Sequence, residues 1–208
     1  MKDLFLKKIL PAVTIEDSSK AVKVAKAILE GGLNVMEVPF RTAEAVHAIK
    51  AIRAELPTMN IGAGTILSID QLHEAQQSGA QFGLAPGFNP SIVREAVRLN
   101  FPFIPGVMTP SDIELALELG CRILKLFPAA QVGGLEMLKA LEGPYGHTGV
   151  KFIPMGGVNI QNIKAFIQQK TVIAVGGSWL ATKNLISENN YPQIKSNVIE
   201  AIQVSTEY

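Results

Sequence analysis

The chain contains one cysteine, Cys121, among 208 residues. A lone cysteine excludes an internal disulfide and a thiolate metal cage. Its place after LELG, among apolar neighbours, predicts a small buried thiol. Histidine is nearly as scarce. His47 and His73 fall in helix-periodic stretches and His147 in a glycine-rich loop, so no metal-ligand spacing arises. Charge is sparse too: 19 Lys and Arg against 18 Asp and Glu leave a net +1. That balance carries no electrostatic footprint for nucleic acid or an anionic membrane, although a small anionic substrate needs only a local pocket. No apolar run reaches the roughly 18 residues of a spanning helix. The opening MKDLFLKKILPAV interrupts its apolar residues with Asp3 and Lys7-Lys8, which is wrong for a signal peptide. A cytoplasmic protein without nucleic-acid or membrane partners is expected.

Hydrophobic residues, in contrast, make up 48% of the chain, enough for one substantial core. They recur as eight short runs: 9–15, 34–40, 60–66, 82–87, 103–107, 122–128, 151–157 and 172–177. Amphipathic stretches such as EDSSKAVKVAKAILEGG, SIDQLHEAQQSGA and TPSDIELALELG lie between them, with Asp, Ser or Thr at the start and Gly at the end. NNYPQIKSNVIEAIQ reads as a closing helix. Strand and helix in alternation imply parallel βαβ units. Eight units predict a single α/β domain over 1–208, a (β/α)8 TIM barrel with a short N-terminal helix covering its floor. An open doubly wound sheet competes, but its first strand should enter a G-x-G-x-x-G turn. Here the first run enters TIEDSSK.

Within RILKLFP, alternation puts Ile123, Lys125 and Phe127 on one face and Leu124 and Leu126 on the other. The all-apolar face belongs against helices, so Lys125 points into the barrel. A buried ammonium costs several kcal/mol unless it is paired or loses its proton. In the second run Val35, Glu37 and Pro39 share a face, and strands two and six lie across the ring, so Glu37 is the natural partner. A merely structural ion pair is the alternative. Two observations favour chemistry. Both residues sit toward the C-terminal halves of their strands, where barrel active sites are built. Further polar candidates collect at the same rim. Arg41 and Thr65, after strands two and three, suit a carboxylate. Pro86, ending strand four in LAPG, reads most simply as a turn and is kept among the substrate-binding candidates. Gly156 and Gly157 end strand seven, and Gly176 and Gly177 end strand eight with Ser178 beside them. Barrel loops at those two positions often hold a phosphate on backbone N–H groups and a helix N-terminus. Trp179 should pack beside strand eight. No G-x-S-x-G elbow is present.

A desolvated, unprotonated lysine can form a Schiff base with a carbonyl, and an adjacent carboxylate can move protons at the neighbouring carbon. Carboxylate and phosphate sites on either side point to a phosphorylated 2-oxo acid. The residues alone do not choose the sugar.

EVPFRT, GAGT, LAPG, LKLFPA, PMGG and GGSWL, in this order along nearly the whole chain, resemble the 2-keto-3-deoxy-6-phosphogluconate (KDPG) and 4-hydroxy-2-oxoglutarate (KHG) aldolase family. The resemblance implies a metal-free (β/α)8 barrel without a cofactor, usually a homotrimer. It implies a class I aldolase releasing pyruvate and glyceraldehyde 3-phosphate, many members also cleaving 4-hydroxy-2-oxoglutarate to pyruvate and glyoxylate. It makes Lys125 the Schiff-base lysine and Glu37 the general acid/base. Arg41 and Thr65 would hold the pyruvyl carboxylate, Phe127 the pocket wall, and Gly157, Gly177 and Ser178 the phosphate. Two positions depart from the pattern. Met155 stands where gluconate-cleaving members typically carry Thr, and Pro39 where many relatives have Thr. A thioether bonds a substrate hydroxyl poorly, which leaves the galactonate epimer open as the substrate. One rival keeps the lysine but changes the chemistry, a pyridoxal phosphate site; a rival of another class, a non-enzymatic sugar-phosphate-binding barrel, leaves Lys125 a structural ion pair.

Overall fold

A computed structural model describes residues 2–206; Met1, Glu207 and Tyr208 of the predicted 1–208 span lie outside it. The strands are β1 Ile9–Pro11, β2 Val35–Pro39, β3 Asn60–Gly64, β4 Phe82–Leu84, β5 Phe103–Ile104, β6 Gly106–Val107, β7 Ile123–Leu126, β8 Lys151–Pro154 and β9 Val175–Gly177. All pairings are parallel: β1 with β9, β2 through β5 in order, and β6 through β8 in order. Ala12 bridges to Glu37 and Met155 to Gly176, joining these groups on two sides. On the third side β5 runs into β6 through Pro105, whose carbonyl accepts the Lys125 N–H at 2.9 Å. The ring closes as a (β/α)8 barrel. The fifth predicted strand is split because Pro105 has no N–H to donate to a ladder.

Most observed strands stop short of the ends read from the sequence, and residues such as 12–15, 65–66, 85–87 and 155–157 build the rim instead. Thr65 (φ 58°), Gly156 (φ 86°) and Gly157 (φ 80°) take left-handed backbone conformations, which end extended structure. The eighth run differs at its start: Val172 makes an isolated parallel bridge to Phe152, and the continuous strand begins only at Val175.

The helices are α1 Ala21–Glu30, α2 Ala45–Glu55, α3 Ile69–Gln77, α4 Pro90–Arg98, α5 Pro110–Glu118, α6 Gly134–Tyr145, α7 Ile163–Ile167, α8 Lys183–Ser187 and α9 Tyr191–Thr206. Their starts follow local chemistry. Ser68 caps α3 by accepting the Gln71 N–H, and Thr109 and Asp112 form a capping box at α5 with Pro110 in the first turn. The N-terminal helix is a single 3-10 turn, Lys2–Phe5, and buried Phe5 joins the barrel interior.

Strand alternation divides the core into two layers. Met36, Val38, Leu124, Leu126 and Phe152 face the helices. Leu10, Val35, Phe82, Ile104, Ile123 and Ile153 fill the barrel. Full burial of a side chain such as Phe82 stabilises by roughly 2–3 kcal/mol. Its ring occupies the place a Cβ at Gly62 would take, so β3 supplies space there and no side chain. Above this apolar fill, toward the C-terminal ends of the strands, the interior turns polar.

Candidate active site

The polar layer begins with Lys125 on β7 and Glu37 on β2, both directed inward by the same alternation that sends their apolar neighbours outward. Lys125 Nζ lies 3.9 Å from Glu37 Oε1, with the two side chains only 3% and 2% exposed. The amine also sits 5.1 Å from the Phe127 ring centroid. Glu37 Oε2 is buried without a hydrogen-bond partner among the described residues. It presses on Gly64, where a Cβ would overlap it. The glycine of GAGT is thus what makes room for the carboxylate. An unsatisfied buried carboxylate oxygen costs about 1–3 kcal/mol or more, so this pair is a poor device for stability alone.

Both groups open into a cavity of about 200 Å³, whose wall also includes Arg41, Phe127, Met155, Gly156, Gly157, Gly177 and Ser178. Its mouth is polar, with Arg41, Gly157 and Ser178 exposed. Arg41 Nε donates to Thr65 Oγ1 at 3.1 Å, which leaves its terminal nitrogens without a partner among the described residues. Thr65 is held at φ 58°, an outlier for a β-branched residue. Such strain, of order 1–3 kcal/mol, clusters at functional sites.

Three expected site residues stay off the cavity wall. Thr65 acts on Arg41 from behind. Pro86 packs its backbone against Gly106, where a Cβ would collide with it. Gly176 lies under Met155, whose Cε would be 2.5 Å from a Cβ at that position. The expected helix N-termini also differ. After Gly157 the chain passes through a turn in which Asn162 Oδ1 accepts the Asn159 N–H at 2.9 Å, and α7 starts only at Ile163. After Ser178, Trp179 folds its ring over Gly177, and α8 starts only at Lys183. Loop backbone, without a helix end, therefore forms this side of the mouth.

Ala12, Thr14 and Val158 line the cavity but were not among the expected site residues. For Ala12 and Thr14 the signal was present in the alternation Leu10, Ala12, Thr14; Val158 follows a turn that carries no period. Elsewhere Cys121 is half-buried and not fully enclosed, and burial pushes its thiol pKa up. His73 leaves metal chemistry aside by bonding Glu95 across α3 and α4 at 2.5 Å. No cluster of potential metal ligands exists among the described residues. A larger furrow of about 410 Å³ between α1 and α9 is lined by Lys23, Tyr191 and the exposed Lys26, Lys195 and Glu30, the last three paired with one another.

A parallel (β/α)8 ring with a buried Lys–Glu pair at its C-terminal mouth is the architecture of an aldolase-type lyase. The model for the family "KDPG and KHG aldolase" matches residues 2–197. A 2-dehydro-3-deoxy-phosphogluconate aldolase of Treponema pallidum is 40% identical over 197 residues, covering 95% of this chain and 93% of its own. A crystal structure of KDPG aldolase from Legionella pneumophila, with pyruvate captured as a covalent carbinolamine intermediate, superposes with a TM-score of 0.93 at 32% identity, covering 96% and 97% of the two chains. The KDPG aldolase of Zymomonas mobilis ZM4, solved with 3-phosphoglycerate, gives 0.87 at 35% identity, covering 95% and 92%. The chain belongs to the KDPG and KHG aldolase family and is an aldolase. That membership sets the non-enzymatic sugar-phosphate-binding rival aside.

Proposed function

We propose that the protein cleaves 2-keto-3-deoxy-6-phosphogluconate to pyruvate and glyceraldehyde 3-phosphate through a Schiff base on Lys125. The observation that carries this reading is the buried Lys125–Glu37 pair opening into the cavity, with a carboxylate oxygen left unbonded.

Glu37 takes a proton from Lys125, and Nζ attacks the C2 carbonyl carbon to form a carbinolamine. Glu37 returns that proton to the departing hydroxyl, and loss of water leaves an iminium, an electron sink, and a Glu37 carboxylate. Glu37 then removes the C4 hydroxyl proton. The C3–C4 electron pair moves toward the iminium, giving an enamine, and glyceraldehyde 3-phosphate departs. Glu37 returns its proton to C3, and water hydrolyses the iminium to free pyruvate and Lys125. Arg41 holds the C1 carboxylate with its free terminal nitrogens, and Thr65 orients it. The backbone of Gly157 and Gly177, with the Ser178 hydroxyl, receives the phosphate. Pro86 and Gly176 support the wall from behind.

4-Hydroxy-2-oxoglutarate shares the C1–C4 segment that these steps use and fits the same sequence. Met155 on the wall supports a galactonate-cleaving alternative, since its thioether gives no hydroxyl at that position. Cleavage rates for the two epimers and for 4-hydroxy-2-oxoglutarate rank the substrates. The proposal also includes a homotrimer in the cytoplasm, supported by the resemblance. For the chemistry, borohydride with pyruvate should leave a reduced pyruvyl adduct on Lys125 by mass spectrometry, and none without pyruvate. An adduct elsewhere, or none at all, refutes the Schiff base.

A further inference from the structure

We infer that Thr14 is a specificity-determining residue that hydrogen-bonds the hydroxyl on the aldehyde half of the substrate, at the carbon between the aldehyde and the phosphate-bearing carbon. This rests on the aldolase reading above. Leu10 lies inside the barrel, Ala12 packs against that interior, and Val13 and Ile15 are buried toward the helices. The same alternation turns Thr14 inward, and it lines the cavity. Ala12 pairs with Glu37 on one side and donates its N–H to Gly177 on the other, at 3.0 Å. Thr14, one inward position higher, therefore occupies the arc of wall between the acid/base and the proposed phosphate loops.

That arc is where the carbons beyond the broken bond must lie. Thr14 and Ser178 are the lining residues that carry a side-chain hydroxyl, and Ser178 is exposed at the mouth. None of the described residues hydrogen-bonds the Thr14 hydroxyl. Ala12, Pro39 and Gly177 share this cavity wall with Thr14, which also borders a neighbouring recess lined by Glu16, Asp17, Lys20 and Lys183. A half-buried hydroxyl without a protein partner can donate to or accept from a substrate hydroxyl, and a neutral group there suits an alcohol better than an anion.

The test runs in the condensation direction, with pyruvate and either glyceraldehyde 3-phosphate or its 2-deoxy analogue, 3-oxopropyl phosphate. The quantity read is the ratio of kcat/KM for the hydroxylated aldehyde to that for the deoxy aldehyde. Thr14→Val should lower this ratio roughly tenfold, the effect of one lost hydrogen bond to a partly desolvated hydroxyl. Thr14→Ser, which keeps the hydroxyl, should restore most of it. A general packing defect would reduce both rates together and leave the ratio as in wild type, and that result overturns the inference. Pyruvate-dependent methyl-proton exchange by the wild-type protein separates the two levels. Its absence overturns the aldolase reading and this inference with it; its presence with an unchanged Thr14→Val ratio overturns only the role of Thr14.

Discussion

Adding one methyl group at Gly64 tests how tightly Glu37, the proposed acid/base, is seated. An ideal Cβ there meets Glu37 Oε2 first and Cδ at 2.9 Å, against the roughly 3.5–4.0 Å of a comfortable contact between carbons. Gly64 itself cannot retreat easily. It pairs in register with Pro39, and its carbonyl accepts the Phe40 N–H at 2.7 Å. Its φ is not left-handed, so alanine brings no backbone strain, and the effect is steric alone. The carboxyl must move by about 1 Å, and Lys125 lies across the cavity. A misplacement of that size costs on the order of 100-fold in rate. Overpacking costs about 1–3 kcal/mol, offset by roughly 0.5–1 kcal/mol from replacing a strand glycine. At about 2–4 °C per kcal/mol for a chain of this size, the melting temperature falls only a few degrees. Gly64→Ala should therefore stay folded, still trap pyruvate on Lys125 with borohydride, and lose methyl-proton exchange. Exchange within threefold of wild type in a folded Gly64→Ala protein would refute the seating argument.

Glu37→Gln should retain pyruvate binding but slow exchange of its methyl protons by about 100-fold or more, as loss of a positioned general base does; normal exchange followed by NMR removes Glu37 from its role. A third prediction concerns acid stability. Arg98, bonding both Glu95 carboxylate oxygens at 2.7 Å, and then His73 hold the Glu95 carboxyl down from its ordinary 4.5 to about 2. A carboxyl depressed in the folded state stabilises above its ordinary value, and that contribution is lost as pH falls from 4.5 toward 2. Melting curves of Glu95→Gln should converge on wild type as pH drops through this window, and curves that stay parallel throughout contradict the clamp.

Much of the candidate site was legible because its signals are local. A charge inside an otherwise apolar run identified Lys125, and period-two alternation then fixed which way it and Glu37 point. The paired glycines at the ends of the last two strands marked one side of the mouth. What failed to show was the detail of the rim. Helix starts were expected directly after Gly157 and Ser178, yet left-handed backbone and the Asn162 turn delay the first, and the packing of Trp179 intervenes before the second. Thr14 was missed although it obeys the same alternation, because a lone threonine after a strand carries no signal until its neighbours are known.

Period, capping residues and glycine placement were thus written into the chain: parallel units in the number a closed ring needs, and an amine turned toward its axis. These depend on contacts within a few residues. The 3.9 Å approach of Lys125 to Glu37, the space that Gly64 leaves for a carboxylate and the partnerless hydroxyl of Thr14 were decided only when the ring closed. Closure joins residues nearly ninety positions apart, and no local preference specifies how far apart their atoms come to rest.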